Sequence, residues 1–237
     1  MVPGSSIAQD LINLPGIEIN LTDGVDDKQK ITTAIKVAAG LTILSLAPAI
    51  IMMMTSFTRI VIVLSILRHA LGMQQTPPNT VIISLAIFLT IFSMWPVIDR
   101  INSESYEPYI ENKLDVSSAI YNAKVPMRDF MVSQTREQDL ALMLDISKSA
   151  KPNSIDEIKF VTLIPAFLIS ELKSAFQIGF IIFIPFLLID IVVASILMSM
   201  GMMMVPPMMM SLPIKILMFV LIDGWNLIIG SLLNSFF

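Results

Sequence analysis

Residues 195–215 read SILMSMGMMMVPPMMMSLPIK. This stretch joins two apolar segments, roughly 174–200 and 214–237, and with Met218 it accounts for nine of the chain's 18 methionines. Pro206 disfavours helical backbone at Val205, and Pro207 does the same at Pro206. Gly201 relaxes the backbone just upstream. Two helices therefore meet at a bend lined with long, unbranched, apolar side chains. Methionine has three soft torsions and a polarizable sulfur, so it fills irregular gaps and re-packs at little cost. A ring of Met202, Met203 and Met204 could seal a pore and still yield to a passing chain. The plainer alternative is that these methionines pack a core or face lipid at a turn.

Around this bend the composition is that of a membrane protein. Of 237 residues 55% are hydrophobic and 14% charged, and the mean hydropathy is +0.78. Soluble domains carry about 25% charged residues. A net charge of −4 without a basic run argues against nucleic-acid binding. The chain has no cysteine, which excludes disulfides and thiolate chemistry. Its one histidine, His69, excludes a His pair or a multi-His metal site within one subunit. The glycines never form the G-x-x-x-x-G-K-[ST] phosphate loop. No enzymatic activity and no cofactor are expected. The start, MVPGSSIAQDLINLPG, lacks the basic and apolar regions of a secretory signal.

Outward from the bend, the chain divides into four stretches. Residues 1–36 form a polar, acidic lead-in, with a short helix from about Lys28. Residues 37–98 form a first helical hairpin: an apolar run over 37–67, kinked at Pro48 and too long for one simple span, then a polar turn with Pro77-Pro78, then a helix over Val81–Ile98. Residues 99–159 hold 11 acidic and 8 basic residues and read as a small extracytoplasmic helical domain, with one helix over Met127–Lys148. Residues 160–237 form the second hairpin, its last helix covering Ile214–Phe237. The fold class is an all-α membrane protein of kinked helical hairpins, about four long apolar helices in all.

The two hairpin tips echo each other. Gly72–Pro78 and Gly201–Pro207 both read G-M-x-x-x-P-P, each preceded by Ser-Ile-Leu. Duplicated hairpins occur in membrane folds, and in so methionine-rich a chain coincidence is the alternative. Arg59, Arg68 and Lys215 flank the tips, which by the positive-inside rule puts both on the cytoplasmic side.

Several charges interrupt apolar sequence: Arg59, Glu171, Lys173, Asp190, Lys215 and Asp223. Each costs about 2.5–3.5 kcal/mol at a membrane helix centre. Glu171 and Lys173, two apart, point away from each other on a helix. Lys215 and Asp223 are about 12 Å apart along an axis. Partners must lie on other helices or other subunits. Lys215 is expected to snorkel to the interface. For Glu171, Lys173 and Asp190 the expectation is intersubunit pairing or a water-filled lumen. Asp190 and Asp223 raise the thought of an aspartyl protease, but no protease motif surrounds them. Copper transport by methionine thioethers is disfavoured because no His or Cys lies near 202–210.

The run PAF at 165–167, SELKSAFQIGF at 170–180, Pro185-Phe186 and GMMMVPP at 201–207 resemble the FliP family of flagellar export-gate proteins. TSFTR at 55–59, QQTPPN at 74–79, MRDF at 127–130, QTRE at 134–137 and LIDGWNLIIGS at 221–231 fit as well. The resemblance covers about 37–237. It implies a helically wound, ring-like assembly of several copies with FliQ and FliR, on which FlhB docks. That assembly would form the inner-membrane channel of the flagellar basal body, through which unfolded flagellar proteins enter. It also implies that the core sits largely above the bilayer plane, that members carry a cleaved signal, and that the family's methionine constriction falls on Met202, Met203 and Met204. Met208, Met209 and Met210 depart from the pattern, and either line the pore or pack behind it. The alternative function is a small-ion or metal transporter built from repeated hairpins.

Overall fold

A computed structural model describes residues 27–73, 75–148, 154, 157–202 and 204–237. Every long regular element among them is helical: α1 (Asp27–Met53), α2 (Phe57–Ala70), α3 (Asn79–Ile101), a π turn (Asn102–Tyr106), α4 (Glu107–Ile110), α5 (Val116–Gln134), α6 (Glu137–Ile146), α7 (Phe160–Ser199), α8 (Pro207–Leu221) and α9 (Gly224–Asn234). Among the described residues three helical stretches are long and apolar enough to cross a membrane: Ile31–Met53, Asn79–Ile110 and Phe160–Ser199. The α8–α9 pair, bent by 67°, makes a fourth if it counts as one span. The chain is thus an all-α membrane protein, as its composition requires.

The chain clusters into two compact units, Met1–Ala47 and Pro48–Phe237. The described part of the first is a single helical segment of α1, with Ile35, Ile43 and Leu44 exposed. The second unit is built around α2, whose Ile60, Val63, Leu64 and Leu67 are buried. The long apolar run predicted over 37–67 is therefore two helices. The break falls at residues 54–56, where the Thr55 hydroxyl donates to Met52 O at 2.7 Å. Along α7, Leu163, Phe167, Ser170, Glu171, Ala175 and Gly179 are buried at spacings of three and four, the seam of a helix packed along one side. Helix α2 approaches this seam so closely at Gly179 that a Cβ there would lie 2.4 Å from Ile66 Cδ1.

Two contacts fix the direction of packing. Arg59 meets Glu171 and, seven residues on, Ile66 meets Gly179, eight residues on, so α2 and α7 run parallel. Helix α8 returns antiparallel to α7, with Phe219 against Phe186 at 6.4 Å between ring centroids. The α2–α3 and α7–α8 bends consequently lie at the same end of this unit. At 40 residues α7 is about 60 Å long, twice a hydrocarbon core of about 30 Å.

The bends share a backbone device. Gly72 has φ 78° and Gly201 φ 76°, left-handed values that favour glycine. Gly72 donates to His69 O at 2.9 Å and Met73 to Arg68 O at 3.2 Å. Gly201 donates to Met198 O and Met202 to Leu197 O, both at 3.0 Å. These are two Schellman caps, which explains why Gly-Met follows each helix. Pro78 and Pro206 then occupy the N-cap positions of α3 and α8.

Elsewhere the helices depart from the periodicity. The helix predicted over Met127–Lys148 is broken at Thr135-Arg136, both extended, where the Arg136 N–H donates to Ser170 Oγ of α7 at 3.0 Å. Helices α5 and α6 share the core of the membrane-type helices: Phe130 meets Phe167 edge-on at 5.9 Å, and Met131 is buried. The helix predicted over Ile214–Phe237 starts earlier, at Pro207, and breaks at Asp223, which is left-handed at φ 51°. Gly224 follows because a Cβ there would lie 2.3 Å from the Phe219 ring.

Candidate functional site

Four of the charges that interrupt the apolar helices, Arg59, Glu171, Asp190 and Lys215, are gathered into two clusters at different levels of α7. At the lower level Arg59 spends all five N–H donors. Its Nε donates to Glu171 Oε2 at 3.0 Å, and Nη2 donates to Glu171 Oε1 and to Gln134 Oε1. Nη1 donates to the carbonyl and hydroxyl oxygens of Ser235, each at 3.0 Å. The guanidinium also lies 4.1 Å from the Phe236 ring centroid. Arg59 is 3% exposed and Glu171 0%. A two-pronged Arg–carboxylate pair of this kind fixes geometry as well as charge. It ties α2, α5, α7 and the segment after α9 to one point. Beside it the Ser170 hydroxyl donates to Asp139 Oδ2 at 2.7 Å, and Arg136 donates to Ser174 and Gln177.

About 28 Å further along α7 lies Asp190. Its Oδ2 accepts from Lys215 Nζ at 2.7 Å and its Oδ1 from the Ser211 hydroxyl at 2.5 Å. Lys215 Nζ also donates to Ala70 O at 3.2 Å, capping an end carbonyl of α2. Lys215 is 2% exposed, so it does not snorkel. Its ammonium is worth more between a carboxylate and an orphan carbonyl than at the interface.

Glu171 and Asp190, expected to pair between subunits, to line a water-filled lumen or to stand as buried charges, both have partners within the chain. Lys173 and Asp223 differ. Both are exposed, and neither has a hydrogen bond or ion pair from its side chain among the described residues. Asp190 and Asp223 do not form a dyad: Asp190 is committed to Lys215 and Ser211, and Asp223 lies about 12 Å beyond Lys215 along the chain. Among the described residues no three His, Asp or Glu side chains gather as a metal site. Of the cations used to orient the tips, Arg59 and Lys215 are buried, and Arg68 and Lys215 both stand beside the first bend.

Beyond Asp190 the α7–α8 hairpin continues alone for ten residues, about 15 Å, to the methionine bend. Met202 is 41% exposed and Met204 97%. Met203 lies outside the described residues. Met208, Met209 and Met210, on the first turn of α8, are exposed as well. The hairpin's flanks present Ile191, Val192 and Ile196 exposed. The buried pairs anchor this arm, and the methionines ride at its free end.

Some of these residues carried no usable sequence signal. Gln134, Ser235 and Asp139 are ordinary polar residues until the fold brings them to Arg59 and Ser170. The break at Asp223-Gly224 did have one, because Asp-Gly is a turn dipeptide.

Fold and site together define a membrane protein of kinked helices whose buried ion pairs brace an exposed, methionine-tipped hairpin. The FliP family profile matches residues 40–232. A Bacillus subtilis flagellar biosynthetic protein FliP is 54% identical over 210 residues, covering 89% of this chain and 95% of the relative. The Caulobacter vibrioides protein of the same name is 47% identical across 100% of this chain and 86% of its own length. That of Pectobacterium carotovorum is 50% identical over 88% of this chain and 81% of its own. The chain belongs to the FliP family.

Proposed function

We propose that the chain is a subunit of the flagellar protein-export gate. Several copies assemble with FliQ and FliR into a channel that passes unfolded flagellar proteins across the inner membrane, and FlhB docks on that assembly. Family membership supports a role in flagellar biosynthesis and export. The observation that carries the gate reading is the projecting hairpin, with Met204 almost fully exposed at its tip. A side chain of that apolarity at an exposed tip calls for neighbours that the described residues do not supply. Copies brought together about an axis would place Met202, Met203 and Met204 in a ring. Apolar rings close a pore by dewetting, and methionine rotamers let the ring open around a polypeptide. A β-branched ring would be stiffer. In this reading the chain carries out no catalytic step. The carboxylates of Glu171 and Asp190 are taken by the chain's own Arg59 and Lys215, which weighs against an ion-transport site at either.

Two measurements test the reading. The detergent-extracted complex, weighed intact with and without co-expressed FliQ and FliR, should contain several copies of this chain, and a stable monomer in both cases would overturn it. Replacing Met202, Met203 and Met204 together by Ala should raise ion conductance while leaving export largely intact. The same change at Met208, Met209 and Met210 should do less. A first triple variant that assembles, exports and adds no leak would return these residues to ordinary packing.

A further inference from the structure

From Phe160 to Asn234 the chain carries five charged residues: Glu171, Lys173, Asp190, Lys215 and Asp223. Three of them are paired inside the chain. Lys173 and Asp223, of opposite sign, are exposed and have no partner among the described residues. They stand on different sides of α7. Gly179 meets α2 and Phe186 meets α8 on one face of that helix. Lys173 is turned from both by about 120–140°. It shares its line with Phe180, Ile184 and Ile191, all exposed, which makes an apolar stripe with one cation. On the other side, at the corner between α8 and α9, Asp223 stands among exposed Val220, Leu221 and Leu227, an apolar corner with one anion. Lys215 beside Asp190 and Phe219 beside Phe186 set the register of α8 on α7. Continued to Asp223, that register leaves it about 13 Å from Lys173 along the axis. Within one copy the two charges cannot meet.

We propose that Lys173 of one copy pairs with Asp223 of the next, so that the apolar stripe of α7 docks on the α8–α9 corner of its neighbour. The inference rests on the several-copy part of the proposed function and names the surfaces that meet. A charge among apolar side chains in a membrane is costly unless it finds a partner. Each copy carries one charge of each sign, so every contact in a run of copies pairs one lysine with one aspartate. Because the two surfaces differ, the contact is head-to-tail, and it repeats from copy to copy instead of stopping at a pair. Neighbours stepped along α7 bring the charges level, and the flexible stem of lysine takes up part of the offset. Opposite charges at this place also penalise wrong registers. A lipid phosphate fits less well. It would take Lys173 and leave Asp223 without a cation, and an aspartate has no long stem with which to reach the interface. Lys36 of α1, also exposed, is the rival cation for Asp223.

The chain has no cysteine, so introduced cysteines report without background. Full-length Lys173→Cys and Asp223→Cys chains, co-expressed with FliQ and FliR and treated in membranes with a short bis-maleimide, should crosslink to each other as dimers. Neither chain expressed without the other should link to itself. The double variant should give a ladder of dimers, trimers and larger species. In a second measurement, Lys173→Asp or Asp223→Lys should each lower the yield of intact oligomer severalfold, and the double swap should restore it. Asp223→Lys also strains a left-handed corner, so if it melts below the parent the crosslinks and Lys173→Asp decide alone. Self-linking of either single variant, swaps that assemble like the parent, or rescue of Asp223→Lys by Lys36→Asp in place of Lys173→Asp would overturn the proposal. An oligomeric parent whose cysteine variants never link overturns this contact alone. A parent that stays monomeric with FliQ and FliR overturns the assembly reading with it.

Discussion

After α2, Gly72 turns left-handed, and the amides of Gly72 and Met73 close on His69 and Arg68. After α7, Gly201 and Met202 close on Met198 and Leu197 in the same pattern. There the likeness ends. A Cβ at Gly72 would stand 3.5 Å from Leu212 Cδ1 and 4.0 Å from Lys215 Nζ, and Arg68 ties the turn to Pro77 and Asn79. Around Gly201 nothing comes within 4 Å of such an atom. One motif thus serves two ends. The first bend is part of a packed body, with a lysine from α8 bonded beneath it. The second is the free end of an arm. The difference comes from length: α7 and α8 continue past the point where α2 stops.

The largest expected effect concerns the body that holds the arm. Glu171→Ala leaves Arg59 buried without its counter-charge, and breaking a buried pair costs about 3–5 kcal/mol. The variant chain should lose thermal stability in detergent before any question of assembly arises. Glu171→Gln, which keeps the shape and one acceptor, should lose less. A Glu171→Ala chain that melts like the parent, yet fails to form complexes, would move this residue's role from within the chain to between subunits.

This cluster also marks where sequence reasoning stops. The apolar segments and both glycine bends were legible because each rests on local chemistry. The partner of Glu171 was not, since Arg59 lies 112 positions away. Lys215 near a helix start reads as a snorkelling side chain, and only the carbonyl of Ala70, 145 residues upstream, explains its burial. The break at Arg136 is imposed by a serine on α7, and periodicity within 127–148 cannot see it. At the other extreme, the exposed methionine tip stood out in the sequence because no core demands that run.

A middle effect separates the two bends directly. Alanine at a left-handed position costs roughly 1–2 kcal/mol. Gly72→Ala should register this in global melting, because the first bend is packed against α8. Gly201→Ala carries the same backbone strain at a tip that touches nothing else, so the strain is relieved by local fraying. Hydrogen exchange should then quicken around 198–209 while the melting temperature hardly moves. Equal losses of melting temperature in the two variants would mean that the second bend is as integral to the body as the first.

The smallest stability effect belongs to the methionine tip, and its smallness is the point. Met204 is 97% exposed, so truncation removes almost no contact within the chain. Surface changes of this kind stay within about 0.5 kcal/mol. Met204→Ala should therefore fold and melt like the parent. If the tip were ordinary packing, nothing else would change either. If copies of the tip meet, the same substitution should act only in the assembled state, as a leak to small ions or a change in the mass of the complex. A Met204→Ala chain that melts several degrees lower in isolation would show that the tip folds back on its own subunit, and the contrast between a packed bend and a free one would fail.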